Sequence, residues 1–270
     1  LVKTVEDFGV QGEKPANQEL LDWLAVKFMD SGWDVKALHR LIVMSATYRQ
    51  SSKVTPQLYE RDPQNRLLAR GPRFRLPSWM MRDQSLFVAG LLKENVGGPP
   101  VKPYQPEGIW EEATFGKISY KQDHGDALYR RSLYIITLRS VLYPTLTTFD
   151  APDAADACVR RERSNTPLQA LALMNDVQNF EAARAFAERL LTRPGSEADR
   201  LAYAFRCATA RTPTREERGL LGEALKTHRT HFAAAPADDG GSTVFAVCAR
   251  RSLIATGSRV ISISAPSSVR

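Results

Sequence analysis

The densest chemistry in the chain lies between Thr148 and Asn175, TFDAPDAADACVRRERSNTPLQALALMN. Asp150 and Asp153 straddle Ala151-Pro152, and Arg160, Arg161, Arg163 and Asn165 follow just before a helix start. Two carboxylates could divide general acid and general base work between them, and an arginine cluster grips an anion through paired N–H donors. Arg130 and Arg131, ahead of an apolar run, add two more cations to that grip. The competing reading is an internal salt-bridge network that fixes the loop against the helix beginning after Thr166. It needs no ligand and is the favoured one, although perturbed clusters do concentrate at functional sites.

The remaining chemical side chains point less far. Asp123, His124 and Asp126 fall in a loop with no repeated spacing, whereas metal ligands need fixed spacing on a rigid element, so no metal is expected. His228 and His231 close a helix beside a linker and read as a solvated pair. His39 sits on a helix face next to Leu38 and Leu41, the place of a hydrogen-bonded boundary histidine. Cys158 has no histidine nearby to lower its pKa and reads as an inert thiol. No GxSxG, P-loop, dinucleotide fingerprint or HExxH occurs.

Composition bounds the class. At 270 residues and 43% hydrophobic the chain can bury a sizeable core. No run approaches the roughly 20 apolar residues of a membrane span. The first residues lack the pattern of a secretory signal, and the chain opens without Met, in mid-motif, as a piece of something longer would. Cys158, Cys207 and Cys248 are odd in number and far apart, which gives neither a disulfide framework nor a CxxC pair. The formal charge is +7, but Arg250, Arg251, Arg259 and Arg270 supply four of those charges from an acid-free tail. The rest is a weak case for a nucleic-acid partner.

The elements that must position the cluster are helices. Asn17 caps a helix carrying Leu20, Leu21, Trp23, Leu24 and Phe28, and Asp34 caps a second with Leu38, Leu41, Ile42 and Ser45 inward. The pair make an αα-hairpin with Trp33 as its plug. A short helix is expected around Asn65 to Arg70, and a longer one capped by Ser78 and running to about Lys93. The aromatic loop to Gly125 is expected to lie over the helices as the lid or rim of a groove. Leu128 to Leu138, LYRRSLYIITL, is the best strand candidate, as a short hairpin or a buried extended segment.

After the polar cluster, Thr166 and Pro167 start a helix with Leu168, Leu171 and Ala172 buried. Asp176 caps the next, with Val177, Phe180, Ala183, Ala187, Leu190 and Leu191 inward. Ser196 caps another, and Thr214 with Glu217 forms a capping box for the one after, ending near His228. The fold class is mainly α, a multi-helix orthogonal or bundle-like domain with long loops and at most a small β element. Residues 1–232 form the helical domain, 233–241 a linker, and 242–270 a possible last helix with an atypical, poorly ordered tail.

Several ordered motifs together resemble the planctomycete-type PSD family, domain of unknown function 1553. They are Asp7-Phe8-Gly9 with Gly12 and Pro15, Glu19-Leu20-Leu21-Asp22-Trp23-Leu24, Leu38-His39-Arg40-Leu41-Ile42 with Ser45, Thr47, Tyr48 and Arg49, and Asp62-Pro63 with Asn65-Arg66. The resemblance continues through Gly97-Gly98-Pro99, Tyr129-Arg130-Arg131-Ser132-Leu133-Tyr134, Phe149-Asp150-Ala151-Pro152-Asp153, Arg160-Arg161 and Asn165-Thr166-Pro167-Leu168-Gln169-Ala170-Leu171. It covers about residues 1 to 225, and Thr243 to Ala255 resembles the family's closing helix, whereas the end after Thr256 does not match. Val177 stands where the family usually has Pro.

The resemblance implies a module of large exported bacterial proteins, at the periplasm or cell surface, whose partners are neighbouring domains of the same parent chain. A haem on a separate cytochrome c-like domain is part of that expectation. This chain has no CxxCH to hold one, so no cofactor is expected in it. The family supplies no catalytic residue. Two functions follow: a helical interaction or scaffold module, or an anion- or glycan-binding, hydrolase-like domain with Asp150 and Asp153 as acid and base. Convergence of these aspartates and the arginines on an open pocket walled by the 100–125 loop would favour the second; mutual pairing without a cavity would favour the first.

Overall fold

The structure is a computed structural model that describes residues 1–153 and 157–233. Cys248, the last helix, the tail and all of the linker except Ala233 lie outside the described residues. Ten α-helices and two 3₁₀ turns make up the described chain, with only isolated β-bridges among these residues. The mainly α class stands. The chain divides into two compact units, Leu1–Phe74 and the part from Arg75 onward.

In the first unit, α1 (Gln18–Asp30) and α2 (Val35–Met44) form the expected hairpin. The side chains of Asn17 and Asp34 accept from the amides of Leu20 at 2.9 Å and Ala37 at 3.0 Å, satisfying N–H groups that have no partner within the helix. Trp33 is not a plug. It turns the chain at φ 63 and meets Phe28 edge-on at 5.2 Å, yet 65% of it is exposed. The short helix is α3 (Pro56–Arg61), placed by Thr55 as cap and Pro56 at its first position, rather than at 65–70. Residues 62–70 form a turn, because the buried Asp62 carboxylate takes the amides of Arg66 and Leu67, each at 2.8 Å.

The second unit is built on α4 (Ser78–Ala89) packed against α8 (Val177–Leu191). Its core joins Val88 and Ala89 to Ala182, Phe186, Leu190 and Ala204, the last from α9 (Glu197–Thr209). Ala183, Ala187, Leu201 and Leu225 extend it to α10 (Arg215–Ala233), which runs past the expected stop at His228. The small alanines of α8 let its neighbours approach closely, so the core is a helix-to-helix seam. Helix α4 begins without a side-chain cap and ends at Ala89, short of the expected Lys93, because Gly90 at φ 79 closes it.

The proposed strand at 128–138 is replaced by 3₁₀ turns Gly125–Tyr129 and Ser132–Tyr134, with single parallel bridges from Arg130 to Lys93 and from Ile135 to Val101. The reason lies in α4. Arg82, buried on the same helical face as Ser78, Leu86 and Ala89, donates to the carbonyls of Leu128 and Arg130, each at 2.8 Å, and to Ser132 Oγ at 3.3 Å. Its Nε reaches Gln178 Oε1 at 2.6 Å. One guanidinium thereby takes carbonyls that a sheet ladder would have used.

Candidate functional site

Helix α6 (Pro144–Thr148) ends in Phe149, which is buried, and Asp150, which turns the chain at φ 61. A left-handed aspartate is tolerated when its short side chain finds local hydrogen bonds. Here Asp150 Oδ1 accepts from Ser164 Oγ and Oδ2 from the Ser164 amide, both at 2.7 Å. Arg75 closes an ion pair on Oδ2, donates to the Phe149 carbonyl at 3.3 Å and lies 5.5 Å from that ring.

Gln169 completes the arrangement. It is the third residue of α7 (Pro167–Asn175) and closes the capping box with Thr166, while its Nε2 reaches Thr148 O at 3.0 Å, Ser164 Oγ at 2.9 Å and Asp150 at 3.4 Å. Burial pushes the Asp150 carboxyl up, but the Ser164 hydroxyl and amide, with Arg75 and Gln169, outweigh it and hold the group below the ordinary aspartate range. Burial and the like charge of Arg163 push the Arg75 guanidinium down against the pull of Asp150. Asp150 is thus a hydrogen-bonded clamp on the loop, its carboxylate shared among Ser164, Arg75 and Gln169.

Beside this clamp runs a groove of about 540 Å³, its walls including Phe149, Leu171, Leu173 and Met174 and its polar end Arg75 and Asn165. Leu168, Leu171 and Met174 are 61%, 52% and 52% exposed, whereas Gln169 is buried at 4%. The expected buried face of α7, Leu168 and Leu171, therefore faces solvent, because the core-facing position is held by a glutamine that ties two loop ends together. Val177, Phe180 and Leu191 of α8 are likewise exposed, while Ala183, Ala187 and Leu190 are inward as expected.

Arg163 lies close enough to Arg75 for its charge to act there, whereas Arg130, Arg131 and Arg161 serve other contacts. Arg130 is buried and stacked on Tyr134 at 3.8 Å, with its guanidinium on the carbonyls of Pro99 at 2.9 Å, Asn95 at 3.1 Å and Gly97. Arg131 pairs with Asp83 at 3.3 Å, and Arg161 lies over Trp79 at 5.0 Å. Asp153, Arg160 and Arg163 are exposed. Cys158 is half-buried and donates to the Arg160 carbonyl at 3.1 Å. Among the described residues no group of three or more His, Cys, Asp or Glu is placed to hold a metal ion.

The residues that organise this region, Arg75, Ser164 and Gln169, were not singled out from sequence. Gln169 carries a signal in hindsight, as a polar residue at the third position of a helix whose other early residues are apolar. Arg75 carries none, since its partner is 75 positions away.

No described helix is long and apolar enough to cross a membrane. A family model described as PSD1, protein of unknown function (DUF1553), matches residues 1–225. No curated protein and no solved structure matches the chain.

Proposed function

Because the chain belongs to the PSD1 family of proteins of unknown function (DUF1553), which brings no reaction with it, we propose that this domain works by contact, as a helical interaction module. The observation that carries this is the stripe of Leu168, Leu171 and Met174 along α7, exposed beside a groove of about 540 Å³. Their spacing of three places them on one side of the helix, the arrangement that receives the apolar face of a second amphipathic helix. Arg75 and Asn165 contribute the groove's polar lining. The segment that fits is therefore an amphipathic helix that lays its apolar face on this stripe.

The resemblance to a module of exported bacterial proteins supports placing that helix in a neighbouring domain of the same parent chain, at the periplasm or cell surface, with any haem on a further domain. The hydrolase-like alternative finds less support. Asp150 is committed to Ser164, Arg75 and Gln169, and the groove beside it is walled by α7 instead of the 100–125 loop.

The test is binding of the separately produced adjoining domains. Leu171→Asp and Met174→Asp change exposed positions and are expected to alter stability by no more than about 0.5 kcal/mol. They should weaken binding about tenfold or more, as loss of an apolar anchor does. Full-strength binding by both variants, or no binding by the parent domain, overturns the proposal.

A further inference from the structure

A second cavity, remote in sequence from the α7 groove, lies in the segment that follows Val101. This segment is tied down at several points. Lys102 and Asp123 bond each other through the Lys102 amide to the Asp123 carboxylate at 2.7 Å and the Asp123 amide to the Lys102 carbonyl at 2.9 Å. Tyr143 Oη donates to the Tyr104 carbonyl at 2.6 Å, and Tyr120 Oη to the Pro103 carbonyl at 2.5 Å. Trp110, on the short helix α5 (Ile109–Ala113), is buried and meets Tyr120 edge-on at 5.0 Å. What reads as a loop is a small built unit with fixed walls.

Those walls enclose a pocket of about 460 Å³ lined by Gln105, Glu111, Tyr120, Lys121, Gln122 and His124 among others. Two of its residues hold polar atoms that are shut off from solvent and lack a protein partner: Gln105 Nε2, a donor, and Glu111 Oε2, an acceptor. The other Glu111 oxygen accepts from the Tyr120 amide at 3.1 Å. A buried donor or acceptor left unmade costs about 1–3 kcal/mol. The last torsion of an amide or carboxylate side chain is broad, so these groups can turn to meet a ligand.

A hydroxyl suits both kinds of atom, since it donates and accepts, and a polyol offers several of them. The lining mixes amides, an ammonium, an imidazole and carboxylates, with no concentration of cations to select a phosphate or sulfate. The Tyr120 hydroxyl is already bonded to Pro103, which leaves its ring as an apolar contribution to the lining. We infer that this pocket is a binding site for a neutral, polyhydroxylated ring, a pyranose sugar or the terminal unit of a glycan, held through Gln105 and Glu111.

The experiment titrates the full chain with glucose, N-acetylglucosamine, glucuronate and the acyclic polyol sorbitol, following backbone amide shifts. A neutral pyranose should produce saturable shifts confined to residues 102–124, with glucuronate and sorbitol weaker. Gln105→Ala should weaken that binding about tenfold, the loss of one well-placed hydrogen bond in a shielded site. Glu111→Gln should do the same. His124→Ala, at an exposed rim position, supplies a readout should Glu111→Gln disturb the Tyr120 contact. Leu171→Asp should leave sugar binding unchanged, which separates this site from the α7 groove. Absence of saturable shifts for either neutral sugar, tighter binding of glucuronate, or binding indifferent to Gln105→Ala overturns the assignment, with water as the pocket's occupant.

Discussion

Arg75 and Asp150, 75 positions apart, close an ion pair in which the same guanidinium also donates to the Phe149 carbonyl and lies 5.5 Å from the Phe149 ring. The contact joins the segment leading into α4 to the turn after α6, and Ser164 and Gln169 bring the start of α7 to the same carboxylate. Three stretches of chain meet on one side chain.

Removing that carboxylate should loosen all three. Asp150→Ala leaves the Arg75 guanidinium without its anion and the Ser164 amide without its acceptor, for an expected loss of about 2–3 kcal/mol. Asp150→Asn keeps an acceptor and a residue type that tolerates a positive φ, and should cost less, about 1–2 kcal/mol. Urea denaturation measures both, and hydrogen exchange at the Ser164 amide locates the effect. Equal stability of Asp150→Ala and the parent chain would show that the pair holds nothing together.

Arg82 is a stronger case, because it is buried at 6% exposure and serves Leu128, Arg130, Ser132 and Gln178. Arg82→Met removes a charge but strands those acceptors, and should cost about 3–5 kcal/mol. That corresponds to a fall of about 10 °C in the thermal midpoint for a domain of this size. Arg82→Lys should not rescue it, since an ammonium cannot reproduce the planar fork. A lysine variant as stable as the parent would refute the geometric account.

Glu217 carries the pH dependence. Its bidentate pairing with Arg211, at 2.8 and 2.5 Å, and its acceptance of the Thr214 amide at 2.8 Å outweigh burial and lower its pKa from 4.5 to about 2. The folded value lies below the unfolded one, so the unfolded chain binds the proton first as pH falls. The stabilisation is complete above the unfolded value of 4.5 and disappears as pH drops toward about 2. Glu217→Gln should therefore be less stable than the parent at neutral pH, with the gap closing in that acid window. A gap that is constant across the window would assign the effect to the capping hydrogen bond alone.

Ala210 ends α9 at φ 56, a conformation in which a β-carbon crowds the following carbonyl. Ala210→Gly should relieve this and stabilise the chain by about 1 kcal/mol, less the extra freedom that glycine gains when unfolded. A thermal midpoint about 2–4 °C higher is expected. A lower one would mean that the unfolded-state entropy outweighs the relief.

Much of the helix layout is legible in the sequence alone. Asn17, Asp34, Thr166 with Pro167, Asp176, Ser196 and Thr214 with Glu217 each mark a helix start, because a capping hydrogen bond spans only three residues. Ser78 failed as a cap: its hydroxyl is buried, and Pro77 takes the cap position without a side-chain bond.

Periodicity alone determined which residues of α7 share a side, but not which side meets the core. Leu168, Leu171 and Ala172 read as the buried face, and only the tertiary arrangement decided that Gln169 goes in and the two leucines stay out. The same holds for the 128–138 run, whose β-branched and aromatic character favours a strand until Arg82 claims its carbonyls from α4. The amino-acid sequence by itself thus determined the helical class, the family and those helix starts that a capping side chain marks, the last because such a bond spans only three residues. The partner of Asp150, the face α7 turns outward and the conformation at 128–138 depend on side chains tens of positions away, and those meet only once the helices have packed.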